Sequence, residues 1–389
     1  MRIGALATFP DPKQPGAAIS GYRRISQLVQ VLSPLHTIRL YVVAKSRWKP
    51  TVPGCDSVTV LVASHLPGQW LKLVAVFLRS RHDVDVWIAY NPSKVMLPLL
   101  LLHCLGIPVV IDYCDKQAVI DHWIGGFRSR IYLSFQLAVE RLLLRTIRAF
   151  IVISDRLKDE VLEVNPKAQC LLYRGTFVPP NVTEPGIELS RPCQYVLYLG
   201  TLYDFNGPGV LIRALARIAN TVPGLRLLIV GPGPERERLR LQALAVQENV
   251  ADRVEFHSGL SDAQVFGLLR RVDIVALPYL EHPRNQFNFP TKLIEYLWAG
   301  KPVLASRVGE IPQVLKDSQH ILLTPGDVEE WASAMRDLCS DEELRNCLGR
   351  ESVILYQEQF SPDVARKTID AFLTSIYARC TRSMEACSQ

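Results

Sequence analysis

Short apolar runs of strand length alternate with longer amphipathic stretches along the second half of the sequence. The apolar runs that end in a turn containing Gly or Pro lie at residues 195–202, 225–234, 254–259 and 273–278. Helix-length segments, such as residues 209–220, separate them. This repetition predicts βαβ units that form a parallel sheet. Glycines at the strand ends, namely Gly200, Gly231, Gly233 and Gly259, would let a ligand approach the backbone closely.

The first half of the sequence shows a similar alternation and predicts a second α/β domain. Its expected strands lie near residues 2–8, 38–44, 57–62, 85–90, 108–113, 149–153 and 169–173. The most apolar segment, residues 95–111, contains two prolines, a histidine and a glycine. We interpret it as a buried helix to Leu105 followed by a strand, rather than as a membrane span, because it is interrupted and short for a bilayer. Residues 179–193 are rich in Pro and polar side chains and predict a linker.

Residues 287–306 carry the most specific chemical pattern in the chain. A loop ends in Pro290, at a predicted first helical position where its missing N–H costs nothing. The remaining amides of that turn, together with the helix dipole, would form an anion site. Glu295 follows about one turn later, where its carboxylate can accept sugar hydroxyls. A phosphate site beside a hydroxyl site predicts a nucleotide-sugar pocket; the alternative is an ordinary amphipathic helix between two strands.

This segment resembles the donor-site signature of the group 1, glycogen-synthase-like, retaining glycosyltransferases, in the form that carries Pro-x-Lys-Leu-x-Glu-Tyr. Phe289 and Glu295 take the Phe and second Glu positions of the signature, whereas Phe287 stands in place of the first Glu and Pro290 in place of a Gly. The strand and turn order over residues 193–330 is similar to the donor domain of that family. The resemblance of the N-terminal half is weak.

The resemblance implies an α/β protein with the GT-B fold, in which two Rossmann-like parallel-sheet domains face a cleft and the last helix crosses back to the first domain. The expected domains are 1–180 for the acceptor, 194–360 for the nucleotide-sugar donor and 361–378 for the crossing helix. Ser361 and Pro362 have the residue types of a helix N-cap and first position. We expect the tail after Arg379 to be disordered.

The resemblance also implies a transfer that needs no metal and no cofactor beyond a nucleotide-diphosphate sugar as co-substrate. The ribose hydroxyls would bind Glu295, and the phosphates would bind the Pro290–Leu293 amides together with Lys292. The base would lie near Gly233 and Gly259–Leu260. The other expected donor contacts are Asn288, Phe289, Pro290, Thr291, Leu293, Arg284, Gly200, Thr201, Gly231 and, in the glycine loop after the first strand, Gly16.

Two catalytic roles follow from where the chain departs from the family. Family members carry an Arg and a Lys after the first donor-domain strand, where they stabilise the departing diphosphate; here Thr201 and, roughly, Asn206 stand in those places. Lys292 is the best replacement, followed by Arg284 and Arg307.

The strand at 108–113 resembles one that ends in His-Asp in the family. In this chain Cys114 replaces that His and Asp115 keeps the Asp. Asp112 and Asp115 are therefore expected to face the cleft; the alternative is that they cap the next helix.

Charge is divided unequally between the two halves of the sequence. Residues 1–190 hold 22 basic and 14 acidic side chains, whereas residues 191–389 hold 22 and 24. A basic first half predicts an anionic neighbour. Arginines along the apolar stretch 131–147 have two interpretations that are about equally supported. The helix either lies on an anionic membrane surface, or it exposes one charged face to water and packs the other on the sheet. Nucleic acid is disfavoured because no recognition motif accompanies the charge.

Other site classes find less support in the residue types. The sequence lacks a P-loop, a complete dinucleotide-binding glycine motif and any Cys-x-x-Cys pair. We interpret Asp83 and Asp85 as the entry to a strand rather than as metal ligands.

We read the first seven residues as a strand and expect a reduced cytoplasmic setting, peripheral to the membrane if the basic half binds lipid. The partners implied are a nucleotide-sugar donor and a glycan or lipid-linked acceptor. The rival functions are a nucleotide-sugar epimerase of the same fold and a non-catalytic glycosyltransferase-like subunit.

Overall fold

A computed structural model of the chain describes residues 1–8, 19–44, 50–62, 74–76, 78–79, 82–90, 96–114, 127–180, 184, 187–190, 192, 194–317 and 319–388. The chain forms two compact units, Met1–Val178 together with Pro362–Gln389, and Pro179–Ser361. Each unit is built on one sheet whose strand pairs are all parallel. The expectation of two parallel α/β domains is therefore confirmed.

The first unit contains a seven-stranded sheet in the order β3-β2-β1-β4-β5-β6-β7. Its strands are β1 (Arg2–Thr8), β2 (Thr37–Ala44), β3 (Ser57–Val62), β4 (Val86–Tyr90), β5 (Val109–Tyr113), β6 (Ala149–Val152) and β7 (Gln169–Leu172). The central strands β4, β5 and β6 are buried along their whole length. Parallel strands that are covered on both faces need continuous apolar sequence, which is why their positions could be predicted to within one residue at each end.

The described helices before the second unit are α1 (Ile19–Leu32), α2 (Met96–Cys104), α3 (Phe127–Thr146) and α4 (Asp155–Val164). Helix α2 is the apolar segment that was expected to be fully buried. Leu99 and Leu102 are buried, but Leu101 is 39% exposed, so this prediction was wrong for one face of the helix. None of the described helices combines the length and the apolar character that crossing a bilayer requires.

The second unit contains a six-stranded sheet in the order β10-β9-β8-β11-β12-β13. Its strands are β8 (Gln194–Leu199), β9 (Leu225–Val230), β10 (Val254–His257), β11 (Ile274–Leu277), β12 (Val303–Ser306) and β13 (Ile321–Leu323). Its helices are α5 (Pro208–Ile218), α6 (Glu235–Gln247), α7 (Asp262–Arg271), α8 (Pro283–Phe287), α9 (Lys292–Trp298), α10 (Ile311–Val314), α11 (Val328–Ser340) and α12 (Glu342–Leu355). One core cluster, which includes Leu227, Ile212 and Trp331, joins the sheet to α5 and α11.

The strand order of this sheet reverses between β8 and β11. Strands β9 and β10 extend the sheet on one side of β8, and β11, β12 and β13 extend it on the other. The loops that follow β8 and β11 therefore leave the same edge of the sheet in opposite directions. In open α/β sheets this topological switch point is where ligands bind.

The last helix, α13 (Pro362–Ser388), belongs to the first unit. Its Asp370 carboxylate lies 2.8 Å from His36 Nε2, and its Arg366 Nε donates to the Val31 carbonyl oxygen at 2.9 Å. The predicted end near residue 378 and the predicted disordered tail were wrong, because the backbone is helical to Ser388. The sequence beyond Arg379 contains neither Gly nor Pro to stop the helix.

A buried histidine precedes β13 in the second unit. His320 is 1% exposed, and neither of its ring nitrogens has a hydrogen-bond partner among the described residues. Burial lowers the pKa of His320, and the nearby Lys316 carbonyl and Glu351 carboxylate only partly oppose this effect. The folded chain therefore resists protonation of this ring.

The first prediction concerns stability at acidic pH. Above the ordinary histidine pKa of about 6.5 the ring is neutral in both folded and unfolded chains, so it adds no pH dependence there. Below that value the unfolded chain takes up the proton first, so the free energy of unfolding should fall. His320→Phe should lose less stability than the parent between pH 8 and pH 5 in urea titrations. An equal loss in both proteins, with His82→Phe as the exposed control, would contradict the role of His320.

Candidate functional site

Helix α9 is anchored on the carboxyl end of β8 by Tyr296. This side chain is fully buried, and its hydroxyl oxygen accepts a hydrogen bond from the Leu199 amide at 2.9 Å. Burial raises the pKa of Tyr296 well above its usual value, so the hydroxyl keeps its proton. Leu293 and Leu297, both buried, pack the same helix against the core. These contacts fix the backbone of Glu295 at the edge of the sheet.

The Glu295 carboxylate is paired with Lys292 on the same helix. Both carboxylate oxygens lie within hydrogen-bond distance of the Lys292 ammonium, at 3.1 and 3.0 Å. The Glu295 side chain is only 7% exposed and that of Lys292 is 23% exposed. The sequence predicted a Lys292 that is directed at the donor phosphates. The structure instead directs its ammonium at the acid, which orients the carboxylate.

The start of α9 differs from the prediction. The helix begins at Lys292 rather than at Pro290, and Thr291 takes the N-cap position without a side-chain capping bond. The Leu293 amide donates to the Pro290 carbonyl at 2.8 Å. That amide is therefore already used within the turn, and the prediction that all the amides of this turn serve a phosphate was wrong for Leu293.

The loop before α9 also packs more tightly than expected. Phe289 is 3% exposed, and its ring stacks on Phe360 with centroids 5.9 Å apart. The ring of Phe289, which was expected to contact the donor, is used in packing. Asn288 is half-buried, and Pro290 is buried. The sequence read residues 283–287 as loop, whereas they form the short helix α8.

The loop after β8 has no cation at the two positions where the family has one. Asn206 is buried, and its side-chain amide donates to both the carbonyl and the hydroxyl of Thr201, each at 2.8 Å. Thr201 and Asn206 therefore hold the shape of the loop. The sequence located these positions but gave no sign that they bond to each other.

Backbone contacts clamp the loop after β8 to the loop after β11 across the switch point. The Phe205 carbonyl accepts hydrogen bonds from the Leu280 amide at 3.0 Å and from the Asn285 side-chain amide at 2.8 Å. Gly207 has a positive φ of 74°, and a Cβ there would lie 1.7 Å from the Pro278 carbonyl oxygen. We refer to these five residues as the switch-point clamp. It requires a glycine at 207 and a buried amide at 285.

A stack of rings lies on the clamp. The Tyr203 and Phe205 ring centroids are 5.3 Å apart, and those of Phe205 and His282 are 4.8 Å apart. The Arg284 guanidinium lies 5.4 Å from the centre of the Phe205 ring. Burial and the nearby Arg284 lower the pKa of His282. The sequence did not predict this stack, because its members come from two loops separated by more than one βαβ unit.

The strand-end glycines serve chain packing more than ligand approach. A Cβ on Gly231 would lie 1.9 Å from the Gly200 carbonyl oxygen, and one on Gly233 would lie 2.6 Å from Leu202 Cβ. The expected ligand contacts at these positions are therefore taken by the chain itself. Gly259, with φ of 74°, has open space where a Cβ would stand, and its neighbour Leu260 is half-buried.

The acid predicted at the end of β5 is internal to the first unit. Asp112 is fully buried, and its carboxylate binds the guanidinium of Arg24 at 2.7 and 2.9 Å. Burial opposes the charge of Arg24, but the Asp112 carboxylate raises its pKa well above the usual value. Asp112 therefore holds α1 to the sheet. The prediction that it faces a cleft was wrong, because its side chain is fully buried. Gly16 and Asp115 lie outside the described residues.

The other candidate charges are used in ion pairs. Asp85 binds Arg2 at 2.6 Å and Asp83 binds Arg39 at 3.1 Å, which fits their interpretation as the entry to a strand. Arg307, the third cation considered for the phosphates, binds Asp317 at 2.6 Å.

Part of the second unit is similar to a known family. Residues 193–341 match the family model described as glycosyl transferases group 1. A D-inositol 3-phosphate glycosyltransferase of Corynebacterium efficiens is 30% identical over 203 residues, which cover 50% of this chain and 46% of the relative. The chain spans about half the length of the curated relatives it matches.

Solved structures resemble the chain over almost its whole length. A sucrose-phosphate synthase from Thermosynechococcus elongatus has a TM-score of 0.71 at 19% identity, covering 97% of this chain and 99% of that protein. HepE of Anabaena, solved in complex with UDP, has a TM-score of 0.70 at 18% identity, covering 96% and 100%. At these identities the likeness establishes the fold alone, and it confirms the GT-B class that the sequence predicted.

The second prediction tests whether Lys292 and Glu295 depend on each other. Removing the ammonium from a carboxylate this deeply buried should cost on the order of 2 kcal/mol of unfolding free energy in Lys292→Met. Glu295→Gln should recover part of that loss in the double variant, because a neutral amide needs no counter-charge. Urea unfolding of the parent, both single variants and the double variant measures the coupling.

The solvent-exposed ion pair Arg307–Asp317 provides the control for this set of variants. Arg307→Met breaks the Arg307–Asp317 contact, whose side chains are 45% and 56% exposed, and should cost less than about 1 kcal/mol. Strictly additive losses in Lys292→Met and Glu295→Gln would show that the two side chains are energetically independent.

Proposed function

Because residues 193–341 match the model of the group 1 glycosyl transferases, we propose that this chain transfers a sugar from a nucleoside diphosphate sugar to an acceptor hydroxyl. In that reaction the bond between the anomeric carbon and the diphosphate oxygen breaks, and a bond from that carbon to the acceptor oxygen forms. The acceptor hydroxyl loses its proton, and the nucleoside diphosphate leaves. We further propose that the configuration at the anomeric carbon is retained and that no metal takes part.

The observation that carries this proposal is the buried Glu295 carboxylate on α9. It lies inside the matched segment, on a helix that Tyr296 ties to the carboxyl end of β8. An acid in this position, held in one orientation by Lys292, can accept hydrogen bonds from two neighbouring hydroxyls. The ribose of a nucleoside diphosphate supplies such a pair.

The donor class is supported by the neighbours and by the local chemistry. HepE of Anabaena was solved in complex with UDP, which is a property of that protein. For this chain we propose a nucleoside diphosphate sugar whose base lies near Gly259, where the backbone borders open space. The base and the sugar are to be identified with a panel of donors. Donor hydrolysis or transfer by the purified chain separates an enzyme from a non-catalytic binding subunit.

The acceptor is proposed to be a glycan or lipid-linked molecule that the basic first unit meets at an anionic membrane surface. Helices α2 and α3 pack together, and four leucines on them or directly after α2 are exposed. These are Leu101, Leu105, Leu137 and Leu142. Exposed arginines of the same helical region are Arg141, Arg145 and Arg148. Apolar side chains between basic ones suit the interface of an anionic bilayer.

The third prediction concerns Glu295 and the nucleoside. Glu295→Gln should weaken nucleoside diphosphate binding by roughly ten- to a hundredfold, because a charged hydrogen bond contributes about 1.5–3 kcal/mol. Isothermal titration calorimetry with UDP, GDP and ADP measures the effect, and melting curves check the fold. Parental affinity in a folded Glu295→Gln protein would remove this carboxylate from the site.

The fourth prediction concerns the membrane. Co-sedimentation with vesicles of phosphatidylglycerol and phosphatidylcholine should exceed that with phosphatidylcholine alone and should fall as salt rises. The double variant Arg141→Ser/Arg145→Ser should lower the partition coefficient by roughly ten- to thirtyfold, at about 1 kcal/mol for each arginine.

The matched control removes two exposed arginines of the second unit, in Arg213→Ser/Arg217→Ser, and should leave the partition unchanged. These side chains are 46% and 50% exposed. Equal losses in the two double variants would indicate unspecific charge attraction, and absence of binding by the parent would reject the membrane surface.

A further inference from the structure

Three cations were candidates for the diphosphate, and the structure separates them by their partners. The Lys292 ammonium is 3.0 Å from Glu295, and Arg307 is 2.6 Å from Asp317. Arg284 instead lies over an aromatic ring, and among the described residues no carboxylate is within ion-pairing distance of its guanidinium. Of the three, Arg284 is therefore the cation whose charge the described chain does not already balance.

The way in which Arg284 is held leaves its donors available. Its guanidinium lies 5.4 Å from the centre of the Phe205 ring, and that ring also stacks with Tyr203 and with His282. Among the described residues the guanidinium of Arg284 makes no hydrogen bond, so its N–H groups stay available to a ligand. The Arg284 backbone amide is fixed as well, since it donates to His282 Nδ1 at 3.2 Å.

The location of the stack adds an independent argument. Phe205 follows β8 and Arg284 follows β11, so the pair bridges the two loops that diverge at the switch point of the sheet. The Phe205 carbonyl is bonded to Leu280 and Asn285, so both loops are locked by backbone contacts. A cation on such a platform needs little rearrangement when an anion arrives, which is the condition for strong electrostatic stabilisation.

We propose that Arg284 binds the diphosphate of the donor and balances the charge that develops on it as the sugar leaves. The planar fork of a guanidinium matches two phosphate oxygens, and charge-assisted bonds of this kind are about twice as strong as neutral ones. Phe205, Tyr203 and His282 hold the cation in place. This inference rests on the proposed function, because it assigns the diphosphate part of the same donor.

The test compares phosphate-bearing and phosphate-free probes. Arg284→Gln should weaken binding of the nucleoside diphosphate that the parent prefers among UDP, GDP and ADP by about ten- to a hundredfold. Its affinity for the corresponding nucleoside should stay within about twofold, since that probe carries no anion. Phe205→Leu, which removes the ring but keeps the cation, should give an intermediate loss for the diphosphate. Calorimetry, or competition with a fluorescent nucleotide, measures both probes.

Arg307→Gln is the matched control, because it removes the same charge from a neighbouring loop and should leave both affinities unchanged. Diphosphate affinity in Arg284→Gln equal to that of the parent would overturn the assignment and leave the proposed function intact. Equal losses for diphosphate and nucleoside would show that the variant only distorts the loop, which also overturns it. A parent that binds no nucleoside diphosphate would reject the proposed function and this inference together.

Discussion

The architecture of the second unit depends on one carbonyl oxygen at the switch point of its sheet. The Phe205 carbonyl accepts hydrogen bonds from the Leu280 amide and from the buried Asn285 side chain, and so joins two loops that leave the sheet in opposite directions. The close approach of Gly207 to the Pro278 carbonyl completes the contact. Because these bonds belong to the backbone or to a buried amide, the edge of the sheet keeps its shape without a ligand.

Around this clamp the chain distributes its charges by function. The acid at the edge, Glu295, is held by Lys292 at the cost of that lysine's availability for an anion. The Arg284 guanidinium instead lies over the Phe205 ring and makes no ion pair with a described carboxylate. The proposed acid for hydroxyl groups and the proposed cation for phosphates are thus held by different partners at one edge of the sheet.

The sequence predicted features that depend on long, regular patterns and missed those that depend on contacts between distant loops. Buried parallel strands have continuous apolar sequence, so the strands of the first sheet and β8 to β11 of the second could be located, whereas β13 was not predicted. The motif around Glu295 lies within one helix and could also be located. The Lys292–Glu295 pair has the i,i+3 spacing of helical ion pairs, but its geometry, the stack on Phe205 and the internal role of Asp112 depend on which rotamers and loops meet in space. Gly231 was expected to let a ligand approach the backbone, but its close neighbour is the chain at Gly200.

The central claim is that the carboxyl edge of the six-stranded sheet, around the switch-point clamp, binds a nucleoside diphosphate. Hydrogen–deuterium exchange of the parent chain, with and without saturating nucleoside diphosphate, tests it most directly. The account predicts increased protection of the backbone amides in three segments of the second unit, residues 200–207, 278–285 and 291–296, with little change in the sheet of the first unit. Protection confined to other segments, or unchanged exchange in all three while the nucleotide is bound, would contradict it.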